Sequence, residues 1–290
     1  MISFLPAAAQ PAARELLMTP ARRIILLLGV PLSLTLLAWT CFAIISKASE
    51  GSYTVSYSPV HVSGGLAMNV YGGDVTLQGG VAPSAAQFTG AGTVWYGLTY
   101  SGQRPTLATA QTAAGTRINF ACPDFNCALS STVDVPPQVP VTVTSNGGNV
   151  TATGISDATL QTGGGNLTVD GLTGDVSLNT DGSQNGNGPF GGGNVAGTLA
   201  ARNITVDTGG GSLDLQLSMP PSNLNVTTEG GNVTLQLPGG YSYRVDNIPQ
   251  TTPQMVQNGP GQPSAITVTT SSSSQYRITV NADGGAVTID

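Results

Sequence analysis

Between residues 141 and 240 a short run of alternating apolar and polar residues returns after each of a series of glycine pairs and triplets. Aligned on the small polar residue that follows the glycines, the copies begin at Asn149, Asn166, Asn194, Ser212 and Asn232. One place on stand Val150, Leu167, Val195, Leu213 and Val233, and three places on stand Ala152, Val169, Gly197, Leu215 and Leu235. Thr151, Thr168, Ala196, Asp214 and Thr234 lie between them. A period of two with one apolar side is the pattern of a strand that buries a single face. The steps between copies are 17, 28, 18 and 20 residues, and the long step contains Asp181 to Gly191, a Gly/Asn/Ser-rich stretch read as an inserted loop.

A repeat of this length holds two short strands and their turns, but it cannot close a core alone. Stacking the copies lets like residues pile into a shared core, which is the logic of solenoid proteins. The expected fold is therefore all-β, a parallel β-solenoid of about five turns rising roughly 4.8 Å per turn. Glycines suit the corners because they accept positive φ. Thr162, Thr208 and Thr228, each four residues before an anchor, are candidates for a ladder in which a hydroxyl bonds to its copy in the next turn. The competing arrangement is an antiparallel meander, since strands joined by Gly-Gly also read as hairpins.

The rest of the chain is organised around this region: a short cytoplasmic tail at 1–23, a transmembrane helix at 24–46, an exported irregular β region at 47–140 that caps the solenoid, and repeats with C-terminal strands at 141–290. Ile24 to Ile45 is a run of 22 residues without a charge, long enough for a membrane span. Arg14, Arg22 and Arg23 precede it and only Lys47 follows closely, which places the N-terminus in the cytoplasm and the bulk of the chain outside. A cleaved signal peptide, cut after Ala48, is the alternative; the apolar run is longer than the 7–15 residues or so of a signal core, which favours an uncleaved anchor. Within 51–140, Val70, Val75 and Leu77 around Gly72-Gly73-Asp74 form an outlying copy of the repeat. Val94-Trp95-Tyr96, with Tyr100, is expected to plug an open end of the stack rather than to form a sugar-stacking platform. Residues 249–275 read as a long loop, followed by strands at Tyr276 to Val280 and Ala286 to Ile289.

Composition narrows the function. Glycine at 39 residues, with 8% charged and 6% aromatic residues, argues against an ordinary α/β enzyme. From Lys47 onward six basic residues stand against fourteen acidic ones, a charge of −8, so nucleic acid is not an expected partner. Cys122 and Cys127 bracket a short polar loop and are a disulfide candidate in an exported protein; two free thiols are the alternative. The single histidine, His61, stands in a strand-like context without a nucleophile elbow, so it reads as a β-face residue. No catalytic, cofactor-binding or metal-binding residues are identified. Asp170, Asp175, Asp207 and Asp214 are the candidates for a polysaccharide-cleaving carboxylate pair, and isolated surface carboxylates are their simpler reading. The Asn-x-Thr sequons at Asn149, Asn166, Asn203, Asn225 and Asn232 arise wherever a Thr-rich strand starts with Asn.

The stretch from Val133 to Val150 (VDVPPQVPVTVTSNGGNV), then Gly171 to Leu178 (GLTGDVSL) and Thr208 to Leu213 (TGGGSL), resembles the bacterial putative-adhesin domains of unknown function. In them a VP strand leads into successive T-x-G-G-x-V turns with G-L-x-G-D-V between. The resemblance covers roughly residues 133–245 and, more weakly, 60–80. It implies a solenoid-like exported domain, often membrane-tethered and associated with the cell envelope or envelope-stress signalling, and no catalytic residues carry over. The cysteine loop and the 181–191 insertion depart from simpler members. The expected function is a non-enzymatic, membrane-anchored envelope protein that presents a repetitive β surface to a cell-wall glycan or an envelope protein. The alternatives are a polysaccharide-active enzyme using the aspartates and an extracellular sensor coupled through the helix.

Overall fold

The computed structural model describes residues 29–48, 50–56, 60–62, 64–70, 72–80, 85–95, 106–121, 127–182, 191–246, 255–256, 267–269 and 275–290. The chain divides into two units, Met1–Ser49 and Glu50–Asp290. In the first, the helix Val30–Ala48 has 19 residues, and its apolar side chains, Leu32, Leu36, Trp39, Phe42 and Ile45 among them, are exposed. Ser33, Thr35 and Thr40 turn their hydroxyls back onto the carbonyls of Val30, Leu32 and Leu37. Among the described residues no helix is long and apolar enough to cross a membrane; residues 24–28 of the apolar run lie outside them.

The second unit is all-β. Strands β1 (Glu50–Ser56), β2 (Val60–His61), β3 (Gly65–Val70), β4 (Val75–Gly79), β5 (Ala85–Trp95), β6 (Thr106–Thr112), β7 (Gly115–Ala121) and β8 (Cys127–Val135) precede the glycine repeats. The repeats form β9 (Val141–Ser145), β10 (Val150–Thr153), β11 (Ser156–Thr162), β12 (Leu167–Asn179), β13 (Val195–Asp207), β14 (Leu213–Leu217), β15 (Asn223–Thr228), β16 (Val233–Gln236) and β17 (Ser242–Asp246). After them come β18 (Met255–Val256), β19 (Thr267–Thr269), β20 (Tyr276–Ala282) and β21 (Val287–Ile289).

The pairings fall into two parallel ladders. One runs β8, β4, β10, the first half of β12, the first half of β13, β14, β16, β21, β18. The other runs β7, β3, β9, β11, the second halves of β12 and β13, β15, β20, β17, β19. From β9 to β18 the chain passes alternately from one ladder to the other, so each layer contains one strand of each. Among the described strands the antiparallel pairs all lie before residue 136, in β1–β5, β2–β5, β5–β8 and β6–β7, which removes the hairpin meander as an account of the repeats.

Inward positions stack like on like. Val75, Val150, Leu167, Val195, Leu213, Val233 and Val287 share one column, and all are buried. On the other ladder Met68, Val143, Leu160, Leu178, Val206, Val226 and Val280 do the same, and both columns belong to one apolar cluster. The outlying copy at Gly72-Gly73-Asp74 joins β3 to β4, and both strands take their places in these ladders, so regular pairing begins well before residue 141. Residues 249–275, expected to be a loop, contain the short strands β18 and β19.

Layer order departs from chain order at both ends. β3 and β4 lie between the layer of β7 and β8 and the layer of β9 and β10, although they come before all four in the chain. Likewise β20 and β21 insert between β15 and β16 on one side and β17 and β18 on the other.

The corners preceding the first ladder's strands explain the glycines. A Cβ built on Gly148, Gly165, Gly193, Gly211, Gly231 or Gly285 would lie closer than 3.0 Å to the carbonyl oxygen of the matching glycine one layer back, Gly73, Gly148, Gly165, Gly193, Gly211 and Gly231 in turn. The obstacle is backbone held by the ladders, so it cannot swing aside. Replacing Gly211 by Ala is expected to cost about 1–3 kcal/mol, read as a shift in the urea midpoint, because the layers must part to admit the methyl. Gly191, where a Cβ meets nothing within 4 Å, is the control: Gly191→Ala should be neutral or slightly stabilising through the unfolded chain.

Candidate functional site

The residue after each corner glycine makes a polar column along the first ladder. Asn149 Oδ1 accepts from the Asn166 N–H at 2.9 Å, Asn166 Oδ1 from the Asn194 N–H at 2.9 Å, and Asn194 Oδ1 from the Ser212 N–H at 2.8 Å. Asp74 begins the column by accepting from the Asn149 N–H at 3.0 Å, and one layer beyond Ser212, whose side chain has no Asn carbonyl to extend it, Asn232 accepts from the Ala286 N–H at 3.1 Å. Asparagine suits the position because its short side chain reaches exactly one strand spacing and offers a carbonyl to an N–H that the turn leaves free.

The threonines behave differently from the expected copy-to-copy ladder. Thr162, Thr208 and Thr228 are buried, and each donates to the carbonyl of the glycine three residues on, Gly165, Gly211 and Gly231, at 2.6, 2.6 and 2.9 Å. Each hydroxyl thus ties its own corner shut. Thr180 plays the same part toward Gly193 at 2.6 Å, across the inserted loop. Sequence spacing missed it because 13 residues separate donor and acceptor where the other corners have three.

A second polar column starts at Asp157, a non-glycine residue at φ 52°. Its carboxylate accepts from the Asp175 N–H at 2.9 Å; Asp175 accepts from Asn203 Nδ2 at 2.7 Å, and Asn203 from Asn223 Nδ2 at 3.2 Å. Of the other candidate aspartates, Asp170 accepts from the Thr198 hydroxyl and Asp207 from the Gly209 N–H. Asp214 projects from β14 opposite Ala196 and Thr234. No two of the four candidates stand opposite one another in the pairing register. His61 is exposed on β2, and its backbone carbonyl accepts from Thr116 Oγ1 and Gln111 Nε2. Cys122 and the side chain of Cys127 lie outside the described residues, as do Tyr96, Tyr100 and the side chains of Val94 and Trp95. Among the described residues no group of three or more His, Cys, Asp or Glu is placed to hold a metal.

The broadest regular feature is the outward side of the second ladder. From β9 onward one row reads Thr142, Thr159, Ser177, Thr205, Asn225, Thr279. The row beside it reads Thr144, Gln161, Asn179, Asp207, Thr227, Asn281. Strand geometry sets the mesh at about 4.8 Å from layer to layer and about 6.6 Å from row to row. The result is a polar lattice of small donors and acceptors, with one carboxylate among them. The first ladder's outward row is similar over Thr132, Thr76, Thr151 and Thr168, before Ala196 and Asp214 interrupt it.

At the end formed by β17 and β20, Arg244 and Arg277 stand opposite each other, a repulsive placement. Asp246 relieves it, taking both Nε groups at 3.0 Å. Hydrogen bonding from Arg244, with a further bond from Arg277, holds the Asp246 carboxyl below its ordinary 3.8. Tyr243 is buried beside Tyr276 and donates to the Pro238 carbonyl at 2.9 Å; burial pushes its hydroxyl pKa up.

No protein-family model matches this chain, and no curated protein matches it. Among solved structures it is similar to a putative cell adhesion protein from Clostridium sporogenes, at 10% identity and a TM-score of 0.32, over 83% of this chain and 98% of that one. A likeness this slight carries no argument about function.

Two outcomes follow from these contacts. Asn194→Ala should speed amide hydrogen exchange at Ser212 while leaving distant layers protected, at a stability cost of about 1 kcal/mol. Asp246 has a lowered folded-state pKa, so its contribution to stability is complete above 3.8 and is lost as the pH falls below that value through the folded one. Denaturation curves taken down the acid limb should therefore show a steeper loss in the wild type than in Asp246→Asn.

Proposed function

We propose that this protein is a non-catalytic, membrane-tethered envelope protein whose β-solenoid presents a regular polar lattice to a glycan or protein partner outside the cell. The observation that carries the reading is the paired rows on the second ladder, from Thr142 and Thr144 to Thr279 and Asn281. A partner with its own repeat can match such a mesh at many points, and no reactive group is needed. Weak contacts repeated along a rigid surface then add through multivalency.

The solenoid reading is supported by the passage of the chain between the two ladders and by the single apolar cluster that their inward residues share. The tether is supported by the uncharged run from Ile24 to Ile45. Along the helix, Ser33, Thr35 and Thr40 satisfy their hydroxyls on the helix backbone, as a hydrocarbon surround demands. The arginines ahead of the run support a cytoplasmic N-terminus.

The test is a pull-down with the whole chain in detergent micelles against cell-wall material and membrane extract, with retained glycans and proteins identified by mass spectrometry. Specific retention of one partner is expected. Asp170→Asn, Asp175→Asn, Asp207→Asn and Asp214→Asn, made singly, should alter retention by small, graded amounts. Shortened glycan products that vanish in one of these variants would overturn the reading in favour of an enzyme.

A further inference from the structure

The lattice of the second ladder changes character at the end built by β7, β3 and β9. There Arg117 and Asn119 on β7, Ala67 and Asn69 on β3, and Thr142 and Thr144 on β9 line an open depression of about 410 Å³. The pairing register explains why it is hollow. Arg117 lies opposite Ala67 on one side and opposite Ala110 of β6 on the other, so both of its cross-strand neighbours carry only a methyl group. Ala67 is followed in its row by Thr142, and the later positions carry Thr, Ser or Asn. In the next row Asn119 faces Asn69, and Asn69 faces Thr144.

The charge is as distinctive as the shape. Arg244 and Arg277 are taken up by Asp246, whereas Arg117 is exposed, its cross-strand neighbours Ala67 and Ala110 are neutral, and among the described residues no carboxylate lines the depression. Beyond the apolar run the chain holds only six basic residues against fourteen acidic ones. A single guanidinium among the described lining residues suits a single negative charge. A phosphate dianion would call for a denser positive cluster against the same acidic background. The depression is also lined by two carboxamides and two hydroxyls, groups that both donate and accept and so match sugar hydroxyls.

We propose that this depression is a subsite for a carboxylate-bearing sugar, a uronic-acid unit of an acidic glycan. Arg117 takes the carboxylate as a bidentate fork. Asn69, Asn119, Thr142 and Thr144 take the ring hydroxyls, and the rows beyond β9 receive the units that follow. The proposal rests on reading the second ladder as a binding lattice and names the chemistry at one end of it. The volume falls in the range of small-molecule sites, about 300–1,000 Å³, so one sugar unit has room beside the arginine.

The experiment titrates the whole chain in detergent micelles with oligogalacturonic acid and, separately, with the neutral galactose oligomer of the same length. Wild type should hold the acidic oligomer about tenfold more tightly than the neutral one, with the difference shrinking as salt rises. Arg117→Gln should abolish that preference, and Arg202→Gln, outside the depression, should leave it intact. Ala67→Gln keeps the charge and fills the gap between Arg117 and Thr142, so it should weaken binding of both oligomers. An Arg117→Gln chain that still prefers the acidic oligomer, or a wild type that holds both equally, overturns the subsite and leaves the lattice standing. Failure of wild type to bind either oligomer also overturns the subsite; the lattice reading falls with it only if the pull-down retains neither glycan nor protein.

Discussion

The constraint on which the rest of this fold depends is the close approach of backbone to backbone at the glycine corners. From Gly73 through Gly148, Gly165, Gly193, Gly211 and Gly231 to Gly285, each corner sits so near the next that no side chain fits between them. That contact sets how closely the layers from β4 to β21 approach one another where they enter the first ladder. Once it is set, the apolar residues at fixed offsets from the corner fall into columns without further instruction. A substituted corner would disturb more than its own turn, because each glycine is both a guest on one neighbour and a host to the other.

The polar groups freed by such tight corners are satisfied by two devices of different reach. The buried threonines act within a layer, closing the corner on its own glycine carbonyl. The asparagines act between layers, each side chain capturing an N–H of the next. Together they satisfy backbone and hydroxyl groups where an unpaired one would be costly. Among the described residues, the buried Ser145 hydroxyl, in the position that Thr162 takes one layer later, finds no partner. Ser145 lies in β9, beside the layer that the early strands β3 and β4 have entered out of chain order.

A stack built this way has a regular, mostly polar outward face. Its outward side chains are held on a mesh by the ladders, and each is small enough to keep the surface even. Arg117 on β7 adds a positive charge to this face, opposite Ala67 and Ala110. The two features give the face a regular spacing along the ladder and a positive charge on β7.

Much of the arrangement was legible in the sequence because it is periodic. The anchors Asn149, Asn166, Asn194, Ser212 and Asn232, the apolar offsets and the β-rich character follow from residue order alone, since a strand with one buried face alternates whatever its partners are. That same alternation says nothing of which strand lies alongside, so it fits parallel pairing and hairpins alike, and the ladders decide between them. Thr180 escaped notice because an insertion broke its spacing, and the outward place of Arg117 between two alanines depends on strands drawn from separate parts of the chain. The insertion of β3 and β4 at one end, and of β20 and β21 at the other, is settled by long-range pairing between segments that carry equivalent patterns. Local periodicity determined what each layer is made of; only the tertiary structure decided the order in which the layers stack, because equivalent strands compete for the same neighbours and the sequence of one strand does not name its partner.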